Sequence, residues 1–322
     1  MPLIDLPLPE LYRYNGRNPK PNDFEAYWQR AVNQLDDIDP ELRLHPVDPV
    51  GASQAECFDL WFTGAGGARV YAKFLRPHHR PTPCPAVLMF HGYAGDSGNW
   101  HEKLAYVSEG FCVAALDVRG QGGRSEDVGG VKGNTLRGHI IRGLEDHVDK
   151  LLYRDIYLDT VRLARLVMAM PEVDETRVGA TGGSQGGALT LAAAALEPRI
   201  RLAAPIYPFL CDYLRVWEMD LAKDAYGELR EWFRRFDPTH ARQQEIFERL
   251  GYIDNQFLAP RIQAEILMGT ALMDPICPPS TQFAAYNRIQ SAKEIVIYPD
   301  FGHEDLPGMR DRIFRFLMRM RN

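Results

Sequence analysis

Six short, almost uninterrupted apolar runs organise this chain: PAVLMFHG, FCVAALDVRG, RVGATGG, RLAAPIYP, AEILMGT and KEIVIYPDFGH. A strand with one wet face alternates apolar and polar residues, whereas a strand covered on both faces is apolar throughout, as in a parallel sheet. Between several of these runs lie stretches of helical period, namely RDIYLDTVRLARLVMAM, GALTLAAAALEP, PSTQFAAYNRIQ and the terminal MRDRIFRFLMRMRN. This alternation predicts an α/β fold in which helices cover both faces of one open, mostly parallel sheet. Ligands are then expected at the carboxyl ends of its strands. Upstream, CFDLWFT and ARVYAKFLRP are joined by GAGG and predict an antiparallel hairpin. One long aromatic-rich segment, residues 209–260, breaks the alternation and is expected to be a helical insertion, a lid or an oligomer contact, within a single domain of residues 1–322.

The composition excludes several function classes. A net charge of -6, with both signs mixed along the chain, leaves no basic face for a phosphate backbone, so nucleic acid is not an expected partner. No window approaches the ~20 apolar residues of a membrane span, and the opening MPLIDLPLPELYRYNGRNPKP lacks the basic-then-apolar pattern of a secretory signal. A cytoplasmic location is the expectation. The five cysteines are odd in number, scattered and without a C-x-x-C pair, so neither a disulfide frame nor a zinc site is indicated.

The strand-to-helix junction RVGATGGSQGGALTLAAAAL carries the chemistry. Gly182-Gly183-Ser184-Gln185-Gly186 fits G-x-S-x-G, in which a serine on a sharp turn holds its hydroxyl above the sheet and small neighbours let strand and helix crowd together. Such a serine needs a base, and in this architecture the acid and then the histidine follow it in the chain. His240 and His303 lie beyond Ser184; His240 falls in the insertion, whereas His303 follows EIVIYPDF and reaches the same sheet edge. For the acid, Asp274 sits just past EILMGTALM, with Asp300 as a rival only three residues from His303. Backbone N–H groups of Gln185, after the nucleophile, and of Tyr93, in the loop after VLMFHG, are the expected donors to a developing oxyanion. His91 is expected to brace that loop and is given no proton-transfer role.

Three motifs in order, Arg119-Gly120-Gln121, Gly182 to Gly186 and His303-Glu304, resemble the acetyl xylan esterase and cephalosporin C deacetylase family, carbohydrate esterase family seven of the α/β-hydrolase fold. YWQRAV, the HGY loop, YPFLCDY and DPICPPST are also similar to it, so the likeness runs along nearly the whole chain. The resemblance implies a Ser184, Asp274 and His303 triad, an oxyanion hole of Tyr93 and Gln185, no cofactor and no metal. It also implies deacetylation of small acetylated sugars, xylo-oligosaccharides and cephalosporin C, and a hexamer. In its light Ile276, Cys277 and Tyr93 become candidate walls of a small acyl pocket, although Cys277 could equally be plain packing. Arg119 and Gln121 are expected to brace loops beneath the site, and Glu304 to support the histidine turn or an interface.

Rival readings remain. TGGSQGG approaches a dinucleotide-binding turn, but it lies mid-chain, and the sequence contains no Tyr-x-x-x-Lys pair. H-E-x-x-H is also absent. A non-catalytic binding protein on the same fold and a prolyl-oligopeptidase-type peptidase fit less well than a general short-chain carboxylesterase, the main competitor.

Overall fold

A computed structural model describes residues 4–79, 83–128 and 137–321, leaving residues 1–3 of the opening stretch and Asn322 of the terminal helical run outside the described residues. They form one nine-stranded sheet: β1 (Arg43–Val47), β2 (Ala55–Thr63), β3 (Arg69–Pro77), β4 (Cys84–Phe90), β5 (Cys112–Leu116), β6 (Val173–Gly183), β7 (Leu202–Ile206), β8 (Glu265–Ala271) and β9 (Lys293–Tyr298). The spatial order is β1-β2-β3-β5-β4-β6-β7-β8-β9. The six apolar runs are β4 to β9, and all pair in parallel. The hairpin β2–β3 is antiparallel, in register from Ala55↔Pro77 to Thr63↔Arg69. It joins the main sheet because β3 also pairs antiparallel with β5. β1 was not expected: RLHPV is too polar to register as a strand, and it pairs only as the outer edge against β2.

Helices cover both faces, and each face has its own apolar cluster. One gathers Leu88, Leu163 and Leu191, and the other gathers Val87, Val113, Leu267 and Ile313. The helix Gln185–Leu196 is buried at every position, which explains its alanine-rich and unpatterned sequence. Residues 209–260 hold the helices Tyr213–Glu218, Gly227–Phe236, Gln243–Gly251 and Asn255–Leu258 between β7 and β8. Their side chains Leu229, Phe233, Ile246 and Phe247 are continuous with the first cluster.

Strand order reverses around β4, which lies between β5 and β6. Loops diverge at such a reversal and leave a crevice at the carboxyl ends of the strands. Tyr93 follows β4 there and Ser184 follows β6, with Phe90 paired to Gly182 at the rim.

Candidate active site

Ser184 begins the helix Gln185–Leu196 with φ 57° and ψ -119°, a conformation that L residues rarely adopt. Its backbone is pinned all round: its N–H donates to Ile206 O at 3.0 Å, and its carbonyl accepts from Ala188 and Phe209 N–H groups at 3.0 Å each. The flanking glycines are a steric necessity. A Cβ on Gly182 would stand 2.5 Å from Phe90 O, and one on Gly186 would stand 2.0 Å from the same atom, so any side chain would drive the helix off β4.

His303 lies in the loop after β9, and Asp274 in the loop after β8. The Ser184 hydroxyl donates to His303 Nε2 across 3.0 Å, and His303 Nδ1–H donates to Asp274 Oδ2 across 2.8 Å. Asp274 is wholly buried, and its Oδ1 accepts from the Ile276 and Cys277 N–H groups at 2.9 and 2.8 Å. A carboxylate held in this way can only accept, which fixes the imidazole with its proton on Nδ1 and a lone pair toward the serine. The exposed Asp300 has no part in this run, and His240 packs on Trp217 and Phe233 in the insertion. Tyr207, unremarked in the sequence, lays its ring 4.6 Å from that of His303 with φ 31°. Glu304 Oε1 accepts from Gly302 N–H at 2.9 Å and closes the turn that presents the histidine.

Among the described residues, neither the Tyr93 nor the Gln185 N–H donates to a protein acceptor. A paired amide clasp joins their two loops: Gln121 Nε2 donates to Gln185 Oε1 at 2.7 Å, and Gln185 Nε2 donates to Gln121 Oε1 at 3.0 Å. Gln121 Oε1 also takes the Ala94 N–H at 2.9 Å, and Tyr153 OH donates to Gln185 Oε1 at 2.8 Å. His91 is locked in one tautomer, since its Nε2 accepts the Val118 N–H at 2.9 Å and its Nδ1–H donates to Gly92 O at 2.7 Å. Burial pushes its pKa below the usual histidine value, so it stays neutral and acts as a brace.

Arg119 is completely buried and grips Asp159 through Nε and Nη2, both at 2.6 Å, and it also donates to Ala65 O. That leaves it no contact with the crevice. All five cysteines are buried, and none joins a disulfide. Cys277 is fully buried, its N–H donates to Asp274 Oδ1, and burial raises its thiol pKa well above the usual range. Asp274, Cys277 and His303 bring ligand-type atoms within 4.8 Å of one another, but the carboxylate and imidazole are already engaged in the hydrogen bonds above.

One participant carried no sequence signal. Glu228, at the start of the helix Gly227–Phe236, accepts from Tyr93 OH at 2.6 Å and is only 6% exposed. Burial, opposed by hydrogen bonds from the Tyr93 hydroxyl and from the Ile140 and Ile141 N–H groups, pushes its carboxyl up to about 7, and burial beside Glu228 raises the Tyr93 phenol. The Tyr93 hydroxyl is therefore committed, and the ring alone remains from the expectation that Tyr93 lines a pocket.

The Acetyl xylan esterase (AXE1) family model matches residues 1–320. The crystal structure of acetyl xylan esterase 1 from Thermoanaerobacterium sp. JW/SL YS485 is 55% identical with a TM-score of 0.95, covering 98% of this chain and 99% of that one. Acetyl xylan esterase from Paenibacillus sp. R4 is 35% identical with a TM-score of 0.91, again covering 98% and 99%. Acetyl esterase Axe7A of Xylanibacter ruminicola is 25% identical over 296 residues, 90% of this chain and 65% of that protein, so the chain spans just under two thirds of that relative's length.

Proposed function

The chain belongs to the acetyl xylan esterase family, a family of carboxylic ester hydrolases, and from that premise we propose that it is a serine esterase releasing acetate from small acetylated carbohydrates through an acetyl-enzyme intermediate. The observation that carries this reading is the hydrogen-bonded run from Ser184 through His303 to Asp274. In the proposed reaction the Ser184 hydroxyl attacks the ester carbonyl as His303 Nε2 takes its proton. The oxyanion is received by the Tyr93 and Gln185 N–H groups, and Asp274 stabilises the imidazolium that forms. His303 then passes the proton to the leaving sugar hydroxyl. Water, deprotonated by the same nitrogen, releases acetate and restores the serine.

Acetylated xylo-oligosaccharides are the proposed natural class, with cephalosporin C as a further acetyl ester of suitable size. The short segment Ile276–Cys277, tied by both N–H groups to Asp274 next to the site, supports a small apolar wall for a short acyl pocket. A cytoplasmic homo-oligomer, a hexamer on the family pattern, completes the proposal, with residues 209–260 as a lid or subunit contact in a single domain.

The test is hydrolysis of 4-nitrophenyl esters from acetyl to octanoyl, with Ser184→Ala alongside. A steep preference for acetyl that disappears in the variant is expected. A flat or long-chain profile would replace the deacetylase with a general carboxylesterase, and silence across the series would leave a binding protein.

A further inference from the structure

The loop carrying Tyr93 is in a conformation it would not hold unaided. Ala94 has φ 58°, a left-handed geometry that in a non-glycine residue costs on the order of 1–3 kcal/mol and persists only where the surroundings impose it. Two tethers impose it. One is the Gln121 clasp on the Ala94 N–H. The other comes from the insertion: Glu228 Oε1 accepts the Tyr93 hydroxyl at 2.6 Å, while its Oε2 accepts the Ile140 and Ile141 N–H groups at 2.9 and 3.2 Å.

Those contacts anchor the carboxyl at both oxygens, so it is a fixed post and not a mobile surface acid. The Tyr93 ring is held between His139 and Phe209, with centroids 5.1 and 5.7 Å away, each edge-on. Beyond the post lies a cavity of about 530 Å³ bordered by Tyr93, Ala94, Ile141 and Glu228. A Tyr93 side chain released from Glu228 therefore has space to swing into, and its backbone would turn with it.

We propose that Glu228 is a positioning residue for the reaction, holding Tyr93 by its hydroxyl so that the Tyr93 N–H faces the oxygen of the tetrahedral intermediate. Glu228 acts through Tyr93 and does not touch the reacting atoms. The inference rests on the reading of Ser184 as nucleophile and of the Tyr93 N–H as oxyanion donor. It gives the insertion a part in catalysis that differs from covering the site.

Tyr93→Phe, Glu228→Gln, Glu228→Ala and the Tyr93→Phe/Glu228→Ala pair test it with 4-nitrophenyl acetate. The inhibitor is methylboronic acid, whose serine adduct places a tetrahedral oxygen at the oxyanion position. Losing one oxyanion donor outright costs about 10²–10³-fold in kcat, so a displaced donor is expected to cost about 10–100-fold. Tyr93→Phe and Glu228→Ala should show that loss with KM nearly unchanged, the boronate Ki should rise in parallel, and the double variant should be no worse than Glu228→Ala. Wild-type kcat in Tyr93→Phe and Glu228→Gln, a kcat loss with unchanged boronate affinity, or losses that multiply in the double variant would each overturn the proposal. If Glu228→Ala does not fold, the Tyr93→Phe and Glu228→Gln results decide. An active Ser184→Ala variant would instead remove Ser184 as the nucleophile, and with it the premise of this inference, whereas an inert one beside a fully active Tyr93→Phe would remove this inference alone.

Discussion

Replacing Asp274 with Asn changes one atom at the most constrained point of the site, and the surrounding hydrogen bonds dictate the result. Oδ1 of residue 274 must keep accepting from two N–H groups, at 2.9 and 2.8 Å. Turning the amide over would face its NH2 against both donors and leave them unsatisfied in a buried position, at about 1–3 kcal/mol each. The amide NH2 therefore faces His303 Nδ1, which sits 2.8 Å from Oδ2 in the native protein. That nitrogen has to become the acceptor, the proton moves to Nε2, and the Ser184 hydroxyl loses its base. A comparable carboxylate-to-amide change in another triad lowers kcat about 10⁴-fold, or about 5 kcal/mol at ~1.4 kcal/mol per decade. The fold should survive, because the two backbone contacts and the volume are kept, so Tm should move by only a few degrees. Steady-state hydrolysis of 4-nitrophenyl acetate checks this, with Asp300→Asn as the exposed control expected to remain within twofold of wild type. Asp274→Asn activity within tenfold of wild type, or an equal loss in Asp300→Asn, would refute the reasoning.

Ser184→Ala should lower kcat by several orders of magnitude at unchanged Tm, since the triad acts as a unit; near-normal turnover would move the nucleophile elsewhere. Gly186→Ala sets a Cβ 2.0 Å from the backbone oxygen of Phe90, which cannot yield as a side chain could, so urea unfolding should register a loss of about 3 kcal/mol or more. Asp159→Ala strands the buried Arg119 guanidinium and should cost about 3–5 kcal/mol by the same assay, and a loss under 1 kcal/mol would contradict the bracing role. Burial, with Asp212 adding to it, raises the Asp254 carboxyl from 3.8 to about 7, so the folded protein binds the extra proton and its stability from this group drains away as pH rises from about 4 to 7. Asp254→Asn cannot titrate, and a flipped Gln256 amide offers its carbonyl, which lacks a partner, to the new NH2. The stability of Asp254→Asn relative to wild type should therefore climb across that window by up to ~4 kcal/mol and level off above it, and a parallel pair of pH curves would contradict the shift.

The elements that could be read from the sequence are those whose local pattern and tertiary role agree. β4, β5, β7 and β8 are apolar because nearly every position in them is buried, whereas β9, the far edge strand, kept an apolar run although it is only half-buried; the order Ser184, Asp274, His303 follows because each residue ends a strand or its loop at one sheet edge. β1 escaped because an exposed edge strand needs no apolar pattern. Gln121 was read as a brace, but its partner was not legible, since a glutamine clasp with Gln185 spans 64 residues and neither side chain has a local reason to be polar. Glu228 was invisible for a stronger reason. In GELREWFRRF it looks like an ordinary first-turn acid favoured by the helix dipole, and only its contact with Tyr93, 135 residues earlier, makes it unusual.

Three non-glycine residues around the crevice share positive φ: Ala94 at 58°, Ser184 at 57° and Tyr207 at 31°. They follow β4, β6 and β7, where each chain must leave the sheet sharply to turn a group toward the same point. Strain of this kind, at 1–3 kcal/mol per residue, persists only if the surrounding structure over-determines it. Each residue has its own restraint: the Gln121 carbonyl on Ala94 N–H, the Ile206 and Phe209 backbone on Ser184, and the Gly269 carbonyl on Tyr207 N–H at 2.7 Å. The geometry of the candidate site is thus bound to the packing that fixes those partners. The insertion belongs to that packing, because Phe209 N–H holds the Ser184 carbonyl at one end of it and Glu228 holds the Tyr93 hydroxyl in its middle. Substitutions inside residues 209–260 that loosen either contact should therefore lower turnover more than they weaken substrate binding, a signature not expected of a lid, whose loss would act first on KM and access.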